Sequence, residues 1–196
     1  MNIGIMGGTF DPLHLGHLLV AEQAREQMAL DEVWFMPSNQ PPHKDHLPKA
    51  SPQQRLDMVR IAIANHPNFK LSELEFERSG ISYSVDSAVL LKERYPNDRF
   101  YWIIGADMVQ YLPKWYKIQE MVSKVSFIGL DRPGYENSEQ ALPDWLSNSL
   151  TMIPMIQFDI SSTEIRDRLL HERSVRYMLP DPVWTYIRGN HLYESE

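Results

Sequence analysis

The sequence predicts an α/β fold, a doubly wound parallel sheet with helices on both faces. Short apolar runs alternate with longer amphipathic segments along the whole chain. Alternating strands and helices pair their strands in parallel through right-handed crossovers. The chain has 196 residues, 43% of them hydrophobic, which is enough for one core. No linker divides it, so we expect one domain over residues 1–196.

Six apolar runs predict the strands, at residues 2–7, 32–36, 69–76, 99–105, 124–130 and 150–155. The run at 99–105 is the strongest of them, and a Pro-rich loop at 37–48 follows the second run. In such sheets ligands bind beyond the carboxyl ends of the strands, near the topological switch point. The loops after Met6, Met36, Gly105 and Leu130 are therefore where we expect the chemistry.

Helical spacing and capping residues predict the helices. Ser51 is placed as the N-cap of one helix, with Pro52 at its first position and Gln54 closing a capping box. Ser161 and Glu164 predict the same box at the start of a helix over 161–170. Further helices are predicted at 84–94 and 181–189. Buried faces are predicted at Ala21, Ala24 and Met28 of the first helix and at Leu56, Val59 and Ile63 of the second.

Composition excludes several classes of function. With 23% charged residues and a formal net charge of -7, the chain is not a natural nucleic-acid binder. The absence of cysteine excludes disulfides, thiolate nucleophiles and zinc–cysteine sites. Residues 1–8 lack the pattern of a signal peptide, and no apolar run approaches the ~20 residues that span a bilayer. We expect a cytoplasmic protein that binds neither membrane nor nucleic acid.

The loop after the first strand, Gly-Gly-Thr-Phe-Asp-Pro-Leu-His-Leu-Gly-His at residues 7–17, carries the strongest chemical signal. Two glycines let a backbone approach a phosphate closely, and N–H groups at the start of the next helix favour anions. His14 and His17 are three residues apart, so one helical turn places them on the same side. Gly16 leaves room for a flat group such as a nucleobase. A Gly-Gly turn or a histidine pair alone is more often structural, but the whole string is not.

The string resembles the (H/T)-x-G-H motif of the nucleotidyltransferase superfamily. Its longer form is similar to the signature of the bacterial nicotinate mononucleotide adenylyltransferases. It is neither the dinucleotide fingerprint G-x-G-x-x-G nor a P-loop, because no G-K-[ST] follows. The resemblance implies a Rossmann-like fold and transfer of AMP from ATP to nicotinate mononucleotide, a step of NAD biosynthesis.

Two further strings point to phosphate. In this family a phosphate-binding lysine follows Pro-Pro-His, and Lys44 occupies that place. Residues 160–166, Ile-Ser-Ser-Thr-Glu-Ile-Arg, resemble the superfamily's ATP-phosphate motif and lie in the C-terminal helical part, about residues 161–196. Ser161 and Thr163 offer hydroxyls beside a helix N-terminus, and Arg166 can reach the same anion with its guanidinium fork.

Weaker strings complete the resemblance, which extends to Tyr193. Gly105-Ala106-Asp107 matches the family's G-A-D near the nucleotide, where a carboxylate can accept bonds from a ribose diol. Residues 81–87 resemble its S-Y-T-x-D-T, with serines in place of threonines. Trp115 and Tyr116 resemble an aromatic pair that stacks on the pyridine ring, and Arg132 begins an R-P-G.

Together these features assign the candidate site. The catalytic residues are His17, His14, Lys44 and Arg166. ATP is assigned to Gly7, Gly8, Thr9, Phe10, His14, His17, Gly105, Asp107, Ser161, Ser162, Thr163 and Arg166. The acceptor is assigned to Thr9, Asn39, Lys44, Ser82, Tyr83, Ser84, Trp115, Tyr116 and Arg132. The sequence shows no carboxylate cluster for a protein-borne metal, so Mg²⁺ is expected to bind through ATP phosphates.

Two alternatives stay open at this stage. Phosphopantetheine adenylyltransferase shares the fold and the chemistry, but its motif has threonine where this chain has His14 and it lacks the Pro-Pro-His-Lys and Trp-Tyr features. A non-catalytic nucleotide-binding regulator could also use this fold, although an intact His17 and Arg166 argue against it. The degree of preference for nicotinate over nicotinamide, the metal preference and the oligomeric state, for which a homodimer is one option, are left open.

Overall fold

The computed structural model describes residues 1–40, 47–78, 80–131, 142–156 and 159–194. Over these ranges the chain forms a six-stranded sheet with the order β3-β2-β1-β4-β5-β6, in which all neighbours pair in parallel. This arrangement confirms the predicted doubly wound α/β class. The strands are β1 Asn2–Gly8, β2 Glu32–Pro37, β3 Phe69–Leu71, β4 Arg99–Gly105, β5 Ser126–Asp131 and β6 Leu150–Pro154.

Helices connect these strands and cover both faces of the sheet. On one face α3 and α5 pack on side chains such as Ile5 and Trp102, and on the other α1 and α2 pack on side chains such as Phe35 and Ile103. Trp102 and Ile103 are consecutive in β4, so their opposite directions follow from the two-residue period of a strand. The helices are α1 Leu15–Gln27, α2 Pro52–Ile63, α3 Ser84–Arg94, α4 Ala106–Val109, α5 Ile118–Val122, α6 Asp144–Ser147, α7 Ser162–Leu170 and α8 Asp181–Gly189, with 3₁₀ turns at Leu74–Glu77 and Leu112–Lys114.

The last two helices form a separate apolar cluster with α2. Ile165 of α7 and Val183 of α8 are fully buried in it, together with Met58 of α2. The hydroxyl of Tyr186 donates to Asp57 of α2 at 3.1 Å. The C-terminal helical part is thus held on the α2 side, where it reaches the carboxyl end of β1.

Two local predictions were wrong, at residues 69–76 and at the start of α7. The strand ends at Leu71, and a 3₁₀ turn follows at Leu74–Glu77, in which Leu74 and the adjacent Glu75 are both buried. The capping box at Ser161 is only half formed. Its hydroxyl accepts the N–H of Glu164 at 3.1 Å, but the Glu164 carboxylate bonds to Arg168 at 2.7 Å.

The other capping box forms as predicted: Ser51 Oγ accepts the N–H of Gln54, and the Gln54 side chain accepts the N–H of Ser51. The sheet order changes direction at β1, which has β2 on one side and β4 on the other. This is the topological switch point at which such sheets bind ligands. Among the helices of the described ranges, none is long and apolar enough to cross a membrane.

Candidate active site

A cleft of about 1110 Å³ opens at the carboxyl ends of β1 and β4. Its walls come from the β1–α1 loop, the start of α1, the start of α3, the segment after β4 and the start of α7. Thirteen of the predicted site residues line it, which places the ATP and acceptor candidates in one cavity. They are Gly7, Gly8, Thr9, His14, His17, Ser82, Tyr83, Ser84, Gly105, Trp115, Tyr116, Ser161 and Ser162.

The β1–α1 loop packs tightly beneath the cleft. A Cβ added to Gly8 would lie 3.1 Å from the ring of Phe10, so a larger residue would displace that ring. Phe10 itself is buried, with a positive φ of 51°, and packs edge-on against His17 at 5.1 Å between ring centroids. Phe10 was assigned to ATP, but its ring lies behind His17 and does not line the cleft. Its role in the described geometry is to support that histidine.

His14 and His17 form a stacked pair at the start of α1. His14 occupies the N-cap position, and the two rings lie 3.6 Å apart between centroids with 27° between their planes. The backbone N–H of His14 donates to Nδ1 of His17 at 3.1 Å. A neutral imidazole that accepts through Nδ1 carries its proton on Nε2, so His17 offers a donor at Nε2.

Both histidines are held in the neutral form. Burial lowers the pKa of His14 to about 4. Burial, followed by the neighbouring His14, lowers the pKa of His17 well below its ordinary value. At neutral pH the pair therefore presents hydrogen-bond donors without adding positive charge.

The start of α7 is fastened to the β1–α1 loop. Ser162 Oγ donates to the carbonyl oxygen of Pro12 at 2.8 Å, and Arg166 Nη1 donates to that of Asp11 at 2.7 Å. Arg166 Nη2 also donates to Thr163 Oγ1 at 3.3 Å. These bonds bring the N-termini of α1 and α7 together, and both ends attract anions. Arg166 and Thr163 stand beside the cleft lining rather than in it.

Two buried charged residues that sequence reasoning left unassigned hold the loops. Arg55 of α2 is 0% exposed and donates to the carbonyl oxygens of Thr9 at 2.8 Å, Ser38 at 2.7 Å and Asn39 at 3.2 Å. Asp11 is 4% exposed and accepts the backbone N–H groups of residues 49 and 50. Asp11 lies within the motif at residues 7–17, which could have drawn attention to it. Arg55 could not be distinguished in the sequence from a solvent-exposed charge on an amphipathic helix.

Glu75 is a third buried charged residue, and it lines the cleft. Its Oε1 accepts the hydroxyl of Ser87 at 2.8 Å, whereas Oε2 has no hydrogen-bond partner among the described residues. Burial raises the pKa of this carboxyl, and the hydrogen bond from Ser87 opposes the shift. No pattern in the sequence pointed to Glu75, because a regular strand was predicted over residues 69–76.

The acceptor candidates lie at the α3 end of the cleft. Tyr83 is the N-cap of α3, and its ring lies 4.6 Å from that of Tyr116. Trp115 is half-buried and packs edge-on against Phe127 at 6.4 Å, so it belongs partly to the core. Asn39 does not line the cleft, since its amide donates to the carbonyl oxygen of Arg78 at 3.2 Å. Its place in the structure is a loop contact.

Three predicted residues fall outside what the structure describes. Lys44 and Arg132 lie outside the described ranges, and the side chain of Asp107, in the first turn of α4, is likewise not described. Within the described residues no group of three or more histidine and carboxylate side chains could hold a metal ion.

Comparison with known proteins now gives the family. The family model described as cytidylyltransferase-like matches residues 5–168. The nicotinate-nucleotide adenylyltransferase of Bacillus subtilis is 47% identical over 193 residues, which are 98% of each chain. This chain belongs to the nicotinate-nucleotide adenylyltransferases of the cytidylyltransferase-like family. The resemblance predicted from the motifs is confirmed over nearly the whole chain.

Solved structures of this family share the fold. The Plasmodium falciparum nicotinic acid mononucleotide adenylyltransferase complexed with NaAD has a TM-score of 0.79 at 23% identity, covering 98% of this chain and 97% of that one. The same enzyme complexed with APC gives a TM-score of 0.76 at 22% identity, covering 98% and 96%. At identities of 22–23%, these structures show only that the α/β architecture is shared. The family assignment rests on the sequence relatives.

Proposed function

We propose that the chain transfers AMP from ATP to nicotinate mononucleotide, forming nicotinate adenine dinucleotide and pyrophosphate in NAD biosynthesis. The observation that carries this proposal is that one cleft joins a phosphate-binding end to an aromatic end. The phosphate-binding end consists of His14, His17 and the starts of α1 and α7. The aromatic end contains Tyr83, Trp115 and Tyr116. Membership of the adenylyltransferase family supports the same reaction.

ATP occupies the end of the cleft between α1 and α7. Its phosphates meet Nε2–H of His17, the hydroxyl of Ser161 and the start of α7, with Arg166 close by. Gly16 lines this part of the cleft and leaves space for a flat base, and Asp107 is assigned to the ribose. Mg²⁺ arrives as part of the nucleotide, coordinated by phosphate oxygens and water.

Nicotinate mononucleotide occupies the α3 end. The pyridine ring stacks on Trp115 or Tyr116, and its carboxylate faces the first N–H groups of α3, which have no partners within the helix. Ser82 and Ser84 line the same region and add hydroxyl donors. Lys44 and Arg132 are assigned to the acceptor side as well. An anion gains charge-assisted bonds here, whereas a neutral amide turns donors toward donors.

The reaction needs positioning more than proton transfer. A phosphate oxygen of the acceptor forms a new bond to the α-phosphorus of ATP, and the bond from that phosphorus to the bridging oxygen breaks, releasing pyrophosphate. The nucleophile is already anionic at neutral pH, so no general base is required. Donors fixed where charge develops stabilise the transition state. His17 is the best-placed of these in the described structure, and Lys44 and Arg166 supply positive charge.

An acceptor panel tests the proposal directly. The whole chain, with ATP and Mg²⁺, is given nicotinate mononucleotide, nicotinamide mononucleotide or 4′-phosphopantetheine, and pyrophosphate release is followed. We expect release with the nicotinate compound above the other two. Release only with phosphopantetheine would support the related adenylyltransferase instead, and ATP binding without release from any acceptor would support a regulator. We further propose that the chain acts in the cytoplasm as a single domain. Light scattering would decide whether it forms a homodimer.

A further inference from the structure

The C-terminal segment contacts the loop at residues 7–17 through the hydroxyl of Tyr193. Tyr193 donates from its phenol oxygen to Asp11 Oδ1 at 2.7 Å, across 182 residues of sequence. A second contact joins the same two regions, because the N–H of Leu15, at the start of α1, donates to the carbonyl oxygen of Met178 at 3.0 Å. The start of the histidine-bearing helix is thus tied to the segments around α8.

Asp11 is the point at which these contacts meet the phosphate-binding residues. Its main-chain oxygen accepts Arg166 Nη1 at 2.7 Å, and its carboxylate Oδ2 lies 3.9 Å from the same nitrogen. The carboxylate also accepts the N–H groups of Lys49 at 2.8 Å and Ala50 at 3.0 Å, which come a few residues after Lys44 in the sequence. Asp11 therefore holds Arg166 chiefly through its main-chain oxygen, while its carboxylate binds residues 49 and 50 and the hydroxyl of Tyr193.

The hydrogen bond between Tyr193 and Asp11 lies in an environment that keeps its geometry fixed. Asp11 is only 4% exposed, so water competes weakly for its oxygens. Burial, followed by the charge of Asp11 and the bond to it, raises the pKa of Tyr193, while Arg166 and Arg55 oppose this shift. The phenol accordingly stays protonated and remains a donor at all working pH values. Hydrogen bonds to a charged acceptor are the stronger class.

We propose that Tyr193 is a positioning residue for ATP: by holding the Asp11 carboxylate, it keeps Arg166 aimed at the nucleotide phosphates. Tyr193 touches no substrate and acts only through Asp11. The inference rests on the proposed function in one respect, the role of Arg166 as a phosphate ligand. It adds the C-terminal segment to the parts of the chain that set nucleotide affinity.

The test removes one oxygen atom from each of two tyrosines. Tyr193→Phe keeps the ring and deletes the donor to Asp11. Tyr186→Phe is the matched control, because its hydroxyl donates to Asp57 at 3.1 Å in the same C-terminal cluster but away from the cleft. Calorimetric titration with a non-hydrolysable ATP analogue and Mg²⁺ measures affinity without any acceptor, and thermal melts measure stability.

We expect Tyr193→Phe to weaken binding of the analogue by about 5–20-fold, a fraction of the roughly 10–100-fold that one hydrogen bond to a charged group is worth, because Tyr193 acts on the nucleotide only through Asp11 and Arg166. Tyr186→Phe should change it by less than about twofold. In an Arg166→Lys background the effect of Tyr193→Phe should largely disappear, since coupled residues do not add. Equal losses of affinity in the two tyrosine variants, unchanged affinity in Tyr193→Phe, or full additivity with Arg166→Lys would overturn the inference.

This outcome is independent of the acceptor assignment. If nicotinate mononucleotide were no substrate but the two tyrosine variants still differed in nucleotide affinity, the proposed function would fail and the positioning role would stand. If the adenylyl transfer were found but the two variants bound the analogue equally, the proposed function would stand and the positioning role would fail.

Discussion

The main-chain N–H of His14 donates to Nδ1 of His17 across 3.1 Å, and this bond selects the form in which His17 meets a ligand. With Nδ1 engaged as an acceptor, the ring proton sits on Nε2. Burial lowers the pKa of both rings, and for His17 the neighbouring His14 adds to the shift, so His17 donates as a neutral imidazole. The helix start thereby fixes both the position and the tautomer of the proposed catalytic donor.

Replacing His17 by alanine should lower kcat by about 10²–10³-fold, as loss of one preorganised donor does. ATP binding should weaken much less, because the start of α7 and Arg166 remain. His171→Ala is the matched control, since that side chain is 60% exposed at the far end of α7. Steady-state kinetics at saturating ATP decides the matter. A His17→Ala enzyme within twofold of the wild type in kcat would refute the assignment.

The two proposed phosphate cations can be tested by paired substitutions. Arg166→Lys should lower activity, because an ammonium cannot reproduce the guanidinium fork that is proposed to bond Asp11, Thr163 and a phosphate at the same time. Lys44→Ala should raise the KM for nucleotide or acceptor. Arg168→Lys in α7 and Lys49→Ala are the controls, since neither side chain is assigned to the cleft. Full activity of Arg166→Lys or of Lys44→Ala would remove that residue from the mechanism.

Trp115 should contribute to acceptor binding in particular. Stacking of an aromatic side chain on a base is worth ~1–3 kcal/mol in nucleic-acid systems, and we take that scale for the pyridine ring. Trp115→Ala should raise the acceptor KM and leave ATP affinity nearly unchanged, although its packing on Phe127 predicts some loss of stability too. Trp145→Ala, at an exposed site in α6, is the control. A change confined to ATP affinity would place Trp115 away from the acceptor.

Arg55 should matter more for stability than for binding. Arg55→Met leaves the carbonyl oxygens of Thr9, Ser38 and Asn39 buried without their donor. Each orphaned group costs about 1–3 kcal/mol, so the free energy of unfolding should fall by about 3 kcal/mol or more. The exposed Arg60→Met in the same helix should cost less than about 1 kcal/mol. Urea titrations compare the two, and equal losses would contradict the anchoring role.

Sequence patterns predicted the parts of this molecule that depend on neighbours in the chain. The Ser51 cap, the strand at residues 99–105 and the cleft-lining residues of the signature string all follow from short periods and fixed spacings. The pattern failed where burial depends on distant contacts. Glu75 is buried by a 3₁₀ turn that period-two alternation cannot reveal, and the bond between Asp11 and Tyr193 joins the two ends of the sequence.

The most direct test of the account follows the adenylyl group itself. ATP labelled at the α-phosphorus is incubated with Mg²⁺, the whole chain and equal concentrations of nicotinate and nicotinamide mononucleotides, and the labelled dinucleotides are separated. We propose that the start of α3 binds the pyridine carboxylate of the acceptor. We therefore expect the label in nicotinate adenine dinucleotide, with at least about a hundredfold preference over the amide product. Equal labelling of the two products would contradict the carboxylate site. Absence of label from both would contradict the adenylyl transfer.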